Sequence, residues 1–593
     1  MPRFFAALLL GACILYAPAF AQPVPPLLLV RGAETPIQLQ QATLAVDIGG
    51  GMAATTIELR FFNPNGRVLE GELQFPLAPG QRVTGFALDI DGEMRPAVPV
   101  EKTRGRQVFE QIVRRGVDPG LLETTRGDNF KLRIYPVPAQ GTRRVRVQLA
   151  QALDRAGGRW SYRLPLPYAA TAGAIDTTVT VHGAAVAPLL PDAMETVAFQ
   201  PTADGWTAAL PRRALAGGAL SLAGKVDDGA RAYVGAFGDA GDESYFYAEI
   251  PVAAAPAPRT LPRTVGLLWD SSGSGATRRH EREFALLDRY FQAAGDIEVR
   301  LVRLRDRAEA PRSYRVRGGD WSALRRELEA TVYDGATAFG GWTPERQAGE
   351  YLLVSDGLDN YGAQAFPALL PAQRLFVLNA AAGADSARLD ALAQRHDGRL
   401  VDLNTGSADD AARALLTDGP RIAGLQGDGL ADLQAESIEA RGGVLRVAGR
   451  RLRPDALLHV RLAGPGGARG IDVPVTPASP RQPLAPLLWA GWRIDALQAD
   501  YALKRGEIAR LGKRFGIATR DTSLIVLERL DDYVRYDIAP PPDLRKLAGQ
   551  MQALRAGQFT AVREQHLQRI LRELDAKASW WNTPYPKGDA PQY

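Results

Sequence analysis

Five side chains stand where oxygen chemistry is possible. Asp270, Ser272 and Ser274 fall at D-x-S-x-S spacing, Thr337 ends the run Tyr333-Asp334-Gly335-Ala336-Thr337, and Asp356 sits in Leu353-Val354-Ser355-Asp356-Gly357. Two carboxylates and three hydroxyls are hard oxygen donors, the kind a small divalent cation takes while keeping several waters. The same residue types also cap helices and build turns with no metal at all. A nucleophilic role for Ser272 or Ser274 is a third option with little behind it. No G-x-S-x-G surrounds either serine, and the nearest histidine, His280, lies in Arg278-Arg279-His280-Glu281-Arg282, which reads as an exposed helix start. A hydrolase is therefore the last of the three readings, and phosphate-cradling loops are absent.

The elements that must position these residues alternate strand with helix. Val265–Trp269 is a short apolar run suited to a buried parallel strand and ends in Asp270. Helical periodicity follows from about Glu281 to Ala294, through Phe284, Leu287, Tyr290 and Phe291. Strands are expected at Val299–Val302, Tyr351–Val354 and Leu375–Leu378, with helices at about Trp321–Thr331 and Leu389–Arg395. This order predicts a doubly wound α/β sheet over residues 263–415, whose sites lie at the carboxyl ends of the strands.

That set of residues on that framework resembles the metal-ion-dependent adhesion site (MIDAS) of von Willebrand factor A domains. The resemblance implies that Ser272, Ser274 and Thr337 bind Mg²⁺ (or Mn²⁺ or Ca²⁺) directly, with Asp270 and Asp356 acting largely through water. Neutral ligands leave the ion electrophilic, able to accept a carboxylate from a partner protein. That is adhesion and not hydrolysis, so no enzyme is expected. Two departures from the family stand out. Thr337 and Asp356 are closer in sequence than is usual, and Phe339-Gly340-Gly341-Trp342-Thr343-Pro344 between them is a poor helix. One helix of the fold is thus expected to be missing, which would shift Thr337 and leave a degenerate site. Asp359 and Asn360 read as turn-formers.

Residues 27–153 read as a β-sandwich-like module with one helix at Lys102–Arg115. Thr43–Asp47, Ala54–Phe62 and Val145–Leu149 alternate with period two, and Asn63-Pro64-Asn65-Gly66 is a turn cluster. Five blocks then come in order: Glu101-Lys102, Phe109-Glu110-Gln111-Ile112, Asp118–Glu123, Phe130–Pro138 and Gly141-Thr142-Arg143. They resemble the vault protein inter-alpha-trypsin (VIT) domain over its whole length. Most of these residues also serve a structural purpose, and none forms a catalytic constellation, so the module reads as an interaction scaffold.

Composition narrows the classes further. The chain has 593 residues, 46% hydrophobic and 23% charged, a globular composition suggesting about four domains. The net charge is +5, but only eight of the 71 basic residues are lysine, and Asp and Glu are interspersed throughout. Arginine excess with abundant Ala and Gly reads as the codon usage of a GC-rich bacterial genome, so no nucleic acid is expected as partner. One cysteine, Cys13, excludes internal disulfides, and the five histidines are scattered. Residues 1–21 read as an export signal: Arg3, the apolar run Phe4–Tyr16, and Ala19-Phe20-Ala21 before cleavage at Gln22. Leu10-Gly11-Ala12-Cys13 resembles a lipobox, but the apolar run continues past it, which favours ordinary cleavage over lipidation. The mature protein is then periplasmic or secreted, with no transmembrane helix.

The remaining segments are β-rich at 154–250, a Pro/Ala linker at 251–262, β-rich again at 420–478, and helix then strand at 485–530. The last layout resembles the region after the adhesion domain in inter-alpha-trypsin inhibitor heavy chains and their bacterial relatives. The Asp-Pro-His signature for glycosaminoglycan attachment is missing, so that modification is not expected. After Pro540-Pro541-Pro542, residues 540–581 are expected to form a helical hairpin packed on the body, with a docking helix for a partner as the alternative, and 582–593 a frayed tail. The fold expectation is thus multidomain, α/β plus β. The functional expectation is an exported envelope protein that binds another protein through a cation site. A metal-independent scaffold is the alternative.

Overall fold

The computed structural model describes residues 28–584 except 31, 78–79, 116–118, 126–128, 157, 167, 170, 192–196, 216–217, 226–228, 239–240, 253–255, 359–364, 382 and 405–406, together with 589 and 592. The export segment with Arg3, Cys13 and Ala21, and the turn-formers Asp359 and Asn360, lie outside the described residues.

Period-two sequences form the N-terminal module. Gln38–Gly49 buries alternate residues, Ala42, Leu44, Val46 and Ile48 among them, because one face meets a core and the other meets solvent. It lies in an eight-stranded sheet in the order Gln200–Thr202, Gly205–Leu210, Ala174–His182, Gln38–Gly49, Met52–Phe62, Thr142–Ala152, Gln81–Ile90, Glu93–Pro96. A six-stranded sheet joins it across a shared core in which Phe61, Phe86, Leu132 and Ile134 are buried together. The six-stranded sheet contains a strand from the far end of the chain. Thr522–Leu527 lies between Pro119–Thr124 and Val98–Glu101, antiparallel to both, with Ile525 opposite Leu121 and Val98.

A second β region is split in sequence. Glu243–Pro251 pairs with Arg231–Phe237 on one side and with Val444–Arg451 on the other. Its alternate residues serve two cores: Tyr245 and Tyr247 face the helices Ala485–Gln498 and Tyr501–Phe515, whereas Phe246 and Ile250 pack with Val447, Leu458 and Val473. Both faces are covered, which explains a strand with no polar side.

The central α/β unit is inserted between Glu243–Pro251 and Arg421–Asp428. Its sheet runs Arg312–Val316, Ile297–Leu304, Thr264–Asp270, Glu350–Val354, Arg374–Asn379, Leu400–Asp402, parallel apart from the antiparallel edge strand Arg312–Val316. Odd and even residues of the central strands enter separate cores: Leu267 and Trp269 on one face, Leu268 and Leu353 on the other. The sheet is therefore covered on both sides, as in a doubly wound fold. From Thr264–Asp270 the chain builds outward in one direction, then crosses to Glu350–Val354 and builds in the other, making a switch point between those two strands.

Two sequence expectations meet the structure here. Residues 330–349 contain no helix, and Phe339, Trp342 and Phe366 cover that sheet face instead, with Trp342 packed 5.0 Å from the Tyr351 ring. The expected hairpin over 540–581 is, in the structure, one continuous helix, Arg545–Asn582. Gly549 and Gly557 are single helix-weakening residues, each costing about 1 kcal/mol against Ala, and no proline or packed turn adds to them.

Candidate functional site

The D-x-S-x-S loop leaves the carboxyl end of Thr264–Asp270, and Ser355 and Asp356 follow the neighbouring strand Glu350–Val354. The two aspartates therefore flank the switch point, where loops diverge and leave a crevice. Asp270 is fully buried. Its Oδ1 accepts the Ser272 amide at 3.1 Å and its Oδ2 accepts the Ser355 hydroxyl at 2.6 Å. Burial pushes the Asp270 carboxyl up from its ordinary range, against the pull of Arg278, and Asp356 adds to the rise. Asp356 is also buried. Its Oδ1 accepts the Leu358 amide at 2.9 Å, and among the described residues its Oδ2 accepts no hydrogen bond.

The hydroxyls come from two loops. Ser272 Oγ lies 3.2 Å from Ser274 Oγ on the short 3₁₀ turn that follows Asp270. The loop carrying Thr337 is tied to this turn, with the Gly273 amide donating to Gly335 O at 3.1 Å and the Asp334 amide to Ser271 O at 3.2 Å. Thr337 itself is buried. All five residues read from the sequence thus sit on loops at one end of the sheet. The donor set suits a hard divalent cation, since it offers hydroxyls, a carboxylate oxygen without a hydrogen bond, and a second carboxylate placed to hold waters. Among the described residues no group of three or more His, Cys, Asp or Glu side chains is placed to hold a metal, so a cation here would need the hydroxyls.

Three contributors were not legible as such in the sequence. Ser355 orients Asp270, and its position beside Asp356 was its only signal. Asp385 caps the helix Ser386–Arg395 by accepting the Arg388 amide, and its own amide donates to Asp356 O at 2.8 Å. Burial raises its carboxyl above the ordinary range although Arg520 reaches it at 3.1 Å. Arg278 corrects the expectation of an exposed helix start: it is buried, donates to Asp270 O at 2.8 Å, and pairs at 2.8 Å with a fully buried Glu283. Its charge is stable there because Glu283 and Asp270 outweigh the burial that alone would lower it. His280 Nδ1 lies 2.8 Å from Glu283 Oε2, and its ring stacks 4.9 Å from Tyr333.

The site opens onto a cavity of about 1420 Å³ between the N-terminal module, the central unit and the helix Ala485–Gln498. Ser274 and Leu358 are on its wall, with Asp385, and Lys102 and Thr124 of the N-terminal module line it too.

Residues 39–149 match the model of the vault protein inter-alpha-trypsin domain, and the N-terminal module carries that domain. Among solved structures, the chain is similar to a von Willebrand factor type A protein from Catenulispora acidiphila, with 12% identity and a TM-score of 0.27 over 48% of this chain and 89% of that one. It is also similar to the ArnB paralogue VWA2 from Sulfolobus acidocaldarius, with 11% identity and a TM-score of 0.25 over 54% and 92%. An aerotolerance-related membrane protein from Bacteroides fragilis aligns over 26% of this chain and 95% of its own, at 16% identity and a TM-score of 0.20. No curated protein matches the chain.

Proposed function

We propose that the chain is an exported binding protein whose central unit takes a divalent cation and, through it, a carboxylate of a partner protein. Ser272, Ser274 and Thr337 would hold the ion, with Asp270 and Asp356 as outer carboxylates. When bound, the ion supplies an electrophilic site for an incoming carboxylate. The observation that carries this reading is the convergence of two buried aspartates and the paired serine hydroxyls at the switch point, with Ser274 on the wall of a cavity. Ser355 and the Ser272 amide fix the Asp270 carboxylate, so its orientation precedes any ligand. The VIT module, which shares the cavity, serves as the scaffold that limits access.

One observation favours a second reading, a metal-independent scaffold. Arg278 already places a buried positive charge next to Asp270. Thermal unfolding in EDTA and in millimolar Mg²⁺ separates the two. A cation at about 100 times its Kd stabilises by about 2.7 kcal/mol. That shift is expected in the wild type and is expected to vanish in Asp270→Ala and in Ser272→Ala, the latter guarding against a folding defect at Asp270. A wild type indifferent to Mg²⁺ and Mn²⁺ would sink the cation site.

A further inference from the structure

The cavity that Ser274 and Leu358 line is also lined by the helix Lys102–Val113 of the N-terminal module. Lys102 and Arg106 stand four residues apart on that helix, so they share a face, and both are on the cavity wall. Arg106 donates its Nε to Glu123 at 2.7 Å, and its two terminal nitrogens make no hydrogen bond among the described residues. Lys102 donates to a backbone carbonyl, Thr124 O, at 2.5 Å, and has no carboxylate partner among the described residues. Two cations thus have one carboxylate between them.

Elsewhere the wall is balanced. Among its described residues, five of six carboxylates are each paired with an arginine, Asp385 with Arg520 and Asp495 with Arg82 among them. The sixth, Asp402, accepts the amide and the side-chain N–H of Asn404. Lys102 also opposes its own helix. A cation in the first turn meets the positive end of the macrodipole, and no acidic residue stands in that turn to offset it. Burial lowers the ammonium below its ordinary range, and Glu123, which draws it up, is held by Arg106. A bound anion would offset both penalties. A second unused group lies on the same wall: Gln498 is 6% exposed, and its Oε1 accepts no hydrogen bond. A buried acceptor is unfavourable until a donor reaches it, and a peptide N–H is such a donor.

We infer that the cavity takes an extended acidic segment of a partner protein, held at two points: one carboxylate at the cation, a second between Lys102 and Arg106. This rests on the cation reading and adds to it a contact on the N-terminal module. Size and polarity favour a chain segment over a small acid. The cavity of about 1420 Å³ exceeds the roughly 300–1,000 Å³ of small-molecule pockets, and Gln498 offers an acceptor to a backbone donor. The two points are joined through the protein. The Asp385 amide donates to Asp356 O at 2.8 Å, Arg520 reaches the Asp385 carboxylate at 3.1 Å, and the Lys102 amide donates to Asp521 O at 2.8 Å. Their spacing is thus set before the segment arrives, which lowers the ordering cost of binding.

Fluorescence anisotropy of a labelled hexaglutamate peptide with the full chain in millimolar Mg²⁺ tests the inference. The wild type is expected to bind the peptide and to release it in EDTA. Lys102→Gln is expected to weaken binding about tenfold or more, the loss of one charged hydrogen bond, and Lys102→Arg to restore most of it. The Mg²⁺-dependent shift in unfolding should be unchanged in Lys102→Gln, which checks that the variant folds and holds the cation. A wild type with no Mg²⁺ shift would sink the cation reading and the two-point site with it. A wild type that shows the shift but binds no hexaglutamate would overturn this proposal alone. So would full affinity in Lys102→Gln, or binding that persists in EDTA. Equal binding of hexalysine, or of a glycine peptide carrying one glutamate, would overturn it as well.

Discussion

Two of the places where the molecule buries charge do so for different ends. At the seam between the N-terminal module and the second β region, Glu249 is enclosed by cations. Arg155 pairs with it, Arg446 Nε donates to it at 3.0 Å, and Tyr247 donates its hydroxyl at 2.7 Å. Arg446 is balanced in turn by Glu436 at 2.9 Å. Gly51 makes room for this cluster, because a Cβ there would stand 2.1 Å from Glu249 Oε1 and its φ of +72° suits glycine. At the switch point the balance is different. Asp270, Asp356 and Asp385 gather at one end of the sheet, with Asp385 on the cavity wall and Arg278 already shared with Glu283. At the seam both carboxylates, Glu249 and Glu436, are held by arginines. The switch point leaves oxygen donors over, as a binding site does.

Neutralising one carboxylate in each place breaks or upholds that contrast. Glu249→Gln strips the charge between two buried arginines and is expected to cost about 3–5 kcal/mol, read from chemical denaturation. Asp270→Asn, measured in EDTA, is expected to change stability by about 1 kcal/mol or less. Asn keeps an acceptor for the Ser272 amide, and the Ser355 hydroxyl can turn to accept from the new amide. Equal costs at the two sites would show that the switch-point aspartate is as structural as the seam, and the contrast would fail.

The next largest effect comes from the strand that closes the N-terminal module. Ile525 is fully buried between Leu121 and Val98, on a strand the chain supplies last. Ile525→Ala is expected to cost about 2–5 kcal/mol. If the module is stitched shut by Thr522–Leu527, the variant should also become sensitive to proteolysis within residues 98–124, whereas the α/β unit should keep its resistance. Uniform cleavage of both regions would mean that the strand does not set the module's stability separately.

What the sequence discloses follows from the range of the interactions. The strands of the central unit are legible because burial on both faces writes a continuous apolar run, as in Val265–Trp269. The five oxygen donors are legible because fold geometry sends strand ends to one side. The missing helix before Asp356 is legible from its Gly, Pro and Trp content. Pairings across more than 400 residues are not written in any local pattern, so the strand Thr522–Leu527 gives no sign of its partners Val98–Glu101. Arg278 looks exposed, because its burial depends on its pairing with Glu283 and not on its own hydropathy. The final helix reads as a hairpin because its length exceeds an ordinary helix, yet no local breaker stands between Arg545 and Asn582.

A third charge cluster, at the surface, sets the lower end of the scale. His459 stands between two aspartates on neighbouring strands, with Nδ1 2.7 Å from Asp472 and Nε2 3.5 Å from Asp428. Hydrogen bonds to Asp472, then to Asp428, raise the imidazole above its ordinary value. A histidine whose folded value lies above its unfolded one stabilises fully below the unfolded pKa, near 6.5, and loses that contribution as pH climbs through the raised value. The effect should be small, because water screens an exposed pair. An NMR titration of the wild type should place His459 above an unperturbed histidine, and Asp472→Asn should bring it down by more than Asp428→Asn does. If both variants titrate like the wild type, geometry at the surface has no electrostatic consequence here. The weight that charges carry at Glu249 would then come from burial alone.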